Sequence, residues 1–127
     1  MPHVVIEGEI DLAAWSAAFE PLLLRVGGDV LRAERVYLEG GARAALIESL
    51  AVEAGRRQSF YIKLSAHDRG TLTVRIDPLT HPDRSDGVKR LVAEVAARAL
   101  GSMPGARVVR TNLVIPSAGD APRPAPV

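Results

Sequence analysis

FYIKLSAHDRGTLTVRI, residues 60–76, decides how this chain is read as a fold. Phe60, Ile62 and Leu64 alternate with Tyr61, Lys63 and Ser65, and Leu72, Val74 and Ile76 alternate with Thr71, Thr73 and Arg75. A two-residue period places the apolar set on one face of a strand and the polar set on the other. HDRG, with Asp68 and Gly70, supplies the turn between the two runs. The stretch predicts a β-hairpin with one buried face.

Upstream, Ala42, Ala44, Leu46, Leu50 and Val52 alternate with Arg43, Ala45, Ile47, Ser49 and Ala51, and only Glu48 interrupts the first set. This predicts another strand, although the alanine content also suits a helix. Gly40-Gly41 makes the turn before it, and ERVYL, ending at Leu38, reads as extended or turning. Pro21 forbids a regular helical hydrogen bond, so it either kinks a helix or opens a second short one through Leu22, Leu23, Leu24 and Val26, stopped by Gly27-Gly28. Before it, Asp11 can cap a helix over Leu12–Glu20, with Leu12, Trp15, Ala18 and Phe19 on one face. His3–Ile6 is short and β-branched, as expected of a first strand.

Downstream, Pro78 and Pro82 mark a turn-rich connection. Val88, Leu91, Val92, Val95, Ala96, Ala99 and Leu100 trace a helical stripe, capped by Ser85 or Asp86 and closed by Gly101. Arg107–Ile115 returns to alternation and makes a last strand. Residues 116–127 are proline-rich, which predicts a tail that is disordered or wraps a neighbouring subunit. The order strand, helix, strands, helix, strand predicts an α+β (α/β) domain over residues 2–115, a repeated β-α-β arrangement with both helices on one sheet face. The other face stays bare unless a second subunit covers it.

The chain has 127 residues, enough for one ordinary domain without disulfides or metals. Its 16 Lys+Arg against 15 Asp+Glu leave a net charge of +1, without the surplus that drives non-specific binding to nucleic acid or anionic membrane. Trp15, Phe19, Tyr37, Phe60 and Tyr61 are too few for a base-stacking platform. There is no cysteine, so thiol chemistry and Cys-ligated zinc are excluded, and the three histidines have no metal-ligand spacing. His67-Asp68 and the HPD at His81 read as solvated loops. The start, MPHVVIEGEID, has neither a basic region nor an apolar run of signal length, which predicts a soluble, cytoplasmic protein.

Pro2 is the residue that could carry chemistry. Removal of the initiator Met is favoured by a small second residue and would leave a secondary amine at the start of a strand. An α-amino group titrates near 8, burial or a nearby cation lowers that value, and a neutral amine is a competent general base. MPHVVIE, Asp11-Leu12, Pro21 and above all YLEGGARA, with Gly41 and Arg43 ahead of an alternating strand, resemble the 5-carboxymethyl-2-hydroxymuconate isomerase branch of the tautomerase superfamily. The resemblance implies a mixed β-α-β sheet assembled as a homotrimer, and a cofactor-independent isomerase in which Pro2 shifts a proton in an enolised or unsaturated oxo-acid. It also implies that Arg43 holds the anionic substrate and that Tyr37 stands near the pocket.

Ala45 stands where those isomerases commonly carry a second arginine, so a dicarboxylate loses one charge-assisted contact. Lys63, Arg69, Arg75 and Arg84 are further candidate anion contacts. Two readings compete with the isomerase: a catalytically inactive protein of the same fold that is structural or binds a small ligand, and a ferredoxin-like interaction domain.

Overall fold

The chain forms β1 (His3–Glu7), α1 (Leu12–Ala18), β2 (Leu22–Val26), β3 (Asp29–Leu38), β4 (Ala44–Glu53), β5 (Arg56–His67), β6 (Thr71–Ile76), α2 (Asp86–Gly101) and β7 (Arg107–Thr111). These come from a computed structural model that describes residues 1–116. The proline-rich tail, beyond Pro116, lies outside the described residues.

β5 and β6 are the expected hairpin, with Ile62 opposite Ile76 and Leu64 opposite Val74. The same geometry repeats upstream: β2 turns into β3 at residues 27–28, β3 into β4 at 39–43, and β4 into β5 at 54–55. Connections this short join antiparallel neighbours, because parallel ones need a crossover of about a dozen residues or more. β1 adds antiparallel to β6, and β7 antiparallel to β1. The result is one seven-stranded sheet in the order β2-β3-β4-β5-β6-β1-β7.

This corrects the expected fold class. A mixed, tautomerase-type β-α-β sheet is overturned by a sheet that is antiparallel throughout and curled into half a barrel. Neither helix links parallel neighbours: α1 carries the chain from β1 to the far edge at β2, and α2 carries it from β6 past β1 to β7. Element order alone is compatible with both topologies. The tight turns decide between them.

Leu22–Val26 is a second correction, a strand where the residues suggested helix. Asp11 caps α1 by accepting from Ala14 N at 3.0 Å, and the helix stops at Phe19, whose backbone is extended. Pro21 cannot donate to a helical ladder and biases the residue before it away from helical backbone. Once the segment is extended, Leu22 and Leu24 fall on the inner face opposite Ala33 and Leu31, and all four are buried.

The inner face of the sheet carries Val4, Ile6, Leu31, Ile47, Phe60, Ile62, Leu64, Leu72 and Val74, and α2 lies across it. Ala93, beside the segment after β7, and Glu94 are buried outside the apolar cluster, while Val88, Leu91, Val92, Val95, Ala96 and Ala99 are buried in that core. Each large apolar side chain so placed contributes about 1.5–3 kcal/mol. α1 packs beside α2, where the Arg98 guanidinium sits over the Phe19 ring at 5.6 Å and donates to the Glu20 carbonyl at 2.6 Å. No helix among the described residues is long and apolar enough to cross a membrane.

Glu94 is only 2% exposed and accepts from Arg90 Nε, one turn earlier, at 2.7 Å. Arg90→Ala is therefore expected to lower the unfolding free energy by about 1–3 kcal/mol, the cost of leaving a buried acceptor without its donor. Replacing both partners, Arg90→Met with Glu94→Leu, should recover most of that loss. Urea titrations of the two variants check this.

Candidate functional site

Both helices pack against the inner face, and among the described residues no helix covers the outer face of the sheet. Cross-strand register fixes its layout. Arg32, Leu50 and Ser59 form one row across β3, β4 and β5, Glu48 and Tyr61 form the next, and Arg57 stands beside Val52. Between these rows lies a groove of about 300 Å³, bordered by Arg32, Glu34, Glu48, Arg57, Tyr61 and Thr80.

Three local features build the groove. The first is a break in the β3–β4 register between Ala33 and Val36, which puts both Glu34 and Arg35 abreast of Glu48. An extra residue of this kind re-aims side chains and increases the twist. The second is the loop after β6. The N-terminal half of β5 has β4 on one side and, among the described residues, no strand on the other, and residues 77–84 close that side. Asp77 N donates to the Tyr61 carbonyl at 2.7 Å, Tyr61 N donates to Thr80 Oγ1 at 3.3 Å, and Asp83 pairs with Arg56 at 2.5 Å. This brings Thr80 to the wall of the groove. The third is Phe60, buried beneath the groove opposite Ser49, whose hydroxyl donates to the Ile47 carbonyl at 3.0 Å.

Charges are distributed unevenly along the groove. Arg32 is paired with Glu34 at 3.1 Å. Arg35 is held above the ordinary arginine range, first by its side-chain hydrogen bond with Tyr37 and then by the charges of Tyr37 and Glu48. Tyr37 meets Tyr61 edge to face, with ring centres 6.4 Å apart. Arg57 has no ion-pair partner among the described residues, and Glu48 accepts no hydrogen bond there. One end of the groove thus presents an unpaired guanidinium, and the other an unpaired carboxylate beside a phenol.

The residues singled out from the sequence do not meet here. Pro2 is buried at the start of β1, and its neighbours are sewn to the segment after β7: the Met1 carbonyl accepts from Asn112 Nδ2 at 2.9 Å, and His3 N donates to Asn112 Oδ1 at 3.1 Å. Pro2 shares the inner-face parity of Val4 and Ile6, whereas Tyr37 lies with Leu46 on the outer face. β6, β5 and β4 separate their strands, a path of about 19 Å at ~4.8 Å per strand. Arg43 is committed elsewhere, donating to Asp68 Oδ1 at 2.5 Å and to the Ala66 carbonyl at 3.2 Å. It ties the turn after β3 to the turn after β5.

Lys63 and Arg75 stand side by side on the outer face in one row with His3, while Arg69 and Arg84 are exposed in loops. Glu48, Arg57 and Thr80 went unrecognised as site residues. Glu48 alone left a trace, as the acid that interrupts the apolar side of an alternating strand. Among the described residues no three His, Asp or Glu side chains gather as metal donors.

Compared with protein-family models, with curated proteins and with solved structures, the chain matches none of them. The tautomerase resemblance accordingly rests on the residues quoted for it and on nothing further.

Proposed function

We propose that this protein is a binding module for a small ligand that carries an anionic group at one end and a hydrogen-bond donor at the other, held in the outer-face groove. The observation that carries this reading is one groove lined both by Arg57, which has no ion-pair partner among the described residues, and by Glu48, whose carboxylate there accepts no hydrogen bond and feels the charge of Arg35. The guanidinium offers a planar, bidentate seat for a carboxylate. Ser59 lines the floor and Thr80 the wall between the two ends, and the Tyr61 ring supplies an apolar flank. Glu48 accepts a hydrogen bond from an ammonium or hydroxyl group of the ligand. Hydroxy acids and amino acids are the ligand class with both ends.

Catalysis at Pro2 requires a free amine, an open space beside it and an anion clamp within reach. Arg43 is engaged with Asp68, and the groove lies on the opposite face from Pro2, which supports binding over proton transfer. A direct check of the isomerase is intact-mass measurement of the purified chain, followed by an enol-ketone conversion assay of wild type and Pro2→Ala. Activity lost on Pro2→Ala would restore it.

The binding reading is tested by titrating the protein with a panel of small hydroxy acids and amino acids while following backbone amide resonances. Shifts are expected at Ser59, Tyr61 and Thr80. Arg57→Gln should weaken binding by about tenfold or more, the value of one charge-assisted contact. Shifts that persist unchanged in both Arg57→Gln and Glu48→Gln would place the ligand elsewhere.

A further inference from the structure

The two margins of the sheet differ in how they are protected. At β7, a break in register with β1 falls between Val5 and Ile6, Arg107 and Arg110 stand on the strand, and Asn112 bends back onto Met1 and His3. Bulges and charges of this kind keep an edge from accepting another strand. β2 carries Arg25 and follows Pro21, but among the described residues it has neither a bulge nor a segment folded back onto it. Its sequence, LLLRV, carries one charge, its register with β3 is unbroken from Leu22 to Val26, and among the described residues its backbone pairs with no element besides β3.

Exposed apolar side chains gather on the same margin. Leu23 is 52% exposed and Val26 42% on β2, and Tyr37 is 48% and Leu38 40% on the part of β3 that β2 leaves uncovered. A hollow of about 320 Å³ among Pro21, Leu22, Leu23, Arg32, Glu34 and Arg35 marks the step where β2 ends and the β3 edge opens. Such a margin, left to solvent, is a template for another strand.

We propose that β2 is the contact with a second copy of this chain, the two β2 strands pairing antiparallel about a twofold axis so that two sheets become one. An antiparallel edge is its own complement under a twofold, so a single unprotected edge is sufficient. With the axis at Leu23, that residue faces Leu23 of the second copy, Leu22 faces Leu24, and Arg25 faces Pro21. Each residue then meets one of the same face, and the two Arg25 side chains stay apart. A strand of five residues makes a small interface, so the dimer is expected to dissociate on the order of micromolar concentration.

Sedimentation over a concentration series should show a monomer–dimer equilibrium. Leu23→Lys, at an exposed position, should abolish it while leaving the urea midpoint unchanged when unfolding is followed well below the dissociation concentration. The absence of cysteine makes Leu23→Cys a unique attachment site for a nitroxide label. Spin–spin broadening is expected at Leu23→Cys and not at Val109→Cys on the opposite margin, which keeps the proposal testable if Leu23→Lys fails to fold. A monomer at every concentration, a trimer, a dimer that survives Leu23→Lys, or broadening at Val109→Cys instead would each overturn it.

Discussion

Phe60→Ala is expected to lower the free energy of unfolding by about 3–5 kcal/mol, the usual result of truncating a buried phenylalanine. Phe60 is 2% exposed and is among the largest fully buried side chains on the inner face. Its strand pairs with β4 over ten residues, so the backbone around the void cannot close it by collapsing. Domains of this size are stable by about 5–15 kcal/mol, so one substitution removes a large share. Urea titration should show a lower midpoint at unchanged slope, since the area exposed on unfolding hardly changes. A loss below about 1 kcal/mol would mean that the core repacks around the gap.

The second large effect concerns the start of α2. The Glu53 carboxylate, at the end of β4, accepts from Ser85 Oγ at 2.5 Å and from Gly87 N at 2.9 Å, while Ser85 Oγ accepts from Val88 N at 3.3 Å. A carboxylate there satisfies N–H groups that no helical carbonyl can reach, and it meets the positive end of the helix dipole. A Cβ at Gly87 would stand 2.5 Å from Glu53 Cδ and 2.8 Å from each carboxylate oxygen. Gly87→Ala must therefore expel the carboxylate and forfeit two charge-assisted hydrogen bonds. The expected net loss is about 2–3 kcal/mol, after the helix-propensity gain of up to about 1 kcal/mol. In a Glu53→Ala background the same substitution should become neutral or stabilising. A double-mutant cycle measured by chemical unfolding reads that reversal of sign. Equal losses in both backgrounds would mean that the close approach of Glu53 is not the cause.

These two residues show what could be read along the chain and what could not. Asp11 and Ser85 are visible as caps because a cap acts within three residues of itself. The contact of Glu53 with Gly87 spans 34 residues, and nothing local marks either partner. The same division holds for the groove. Glu48 stands out as an acid on the apolar side of a strand, but Arg57, in the polar stretch between two alternating runs, looks like turn polarity until β5 is seen to carry it beside Val52. Arg43, which resembles an anion clamp after a glycine turn, proves to hold Asp68, a residue 25 positions away.

Local physics determined the individual elements of this protein: the alternation at 60–76 its hairpin, the apolar stripe from Val88 to Leu100 its long helix, and Asp11 with Pro21 the limits of its short one. Side-chain periodicity and capping act over a few residues, so they are written in the residues themselves. Tertiary structure alone decided that Leu22–Val26 is a strand, that every neighbouring pair is antiparallel, and that Pro2, Arg43 and Tyr37 stand apart. Strand partnership depends on which backbones meet after the turns close and the curled sheet packs against α2. That is a property of the whole chain packing at once, and no window of sequence contains it.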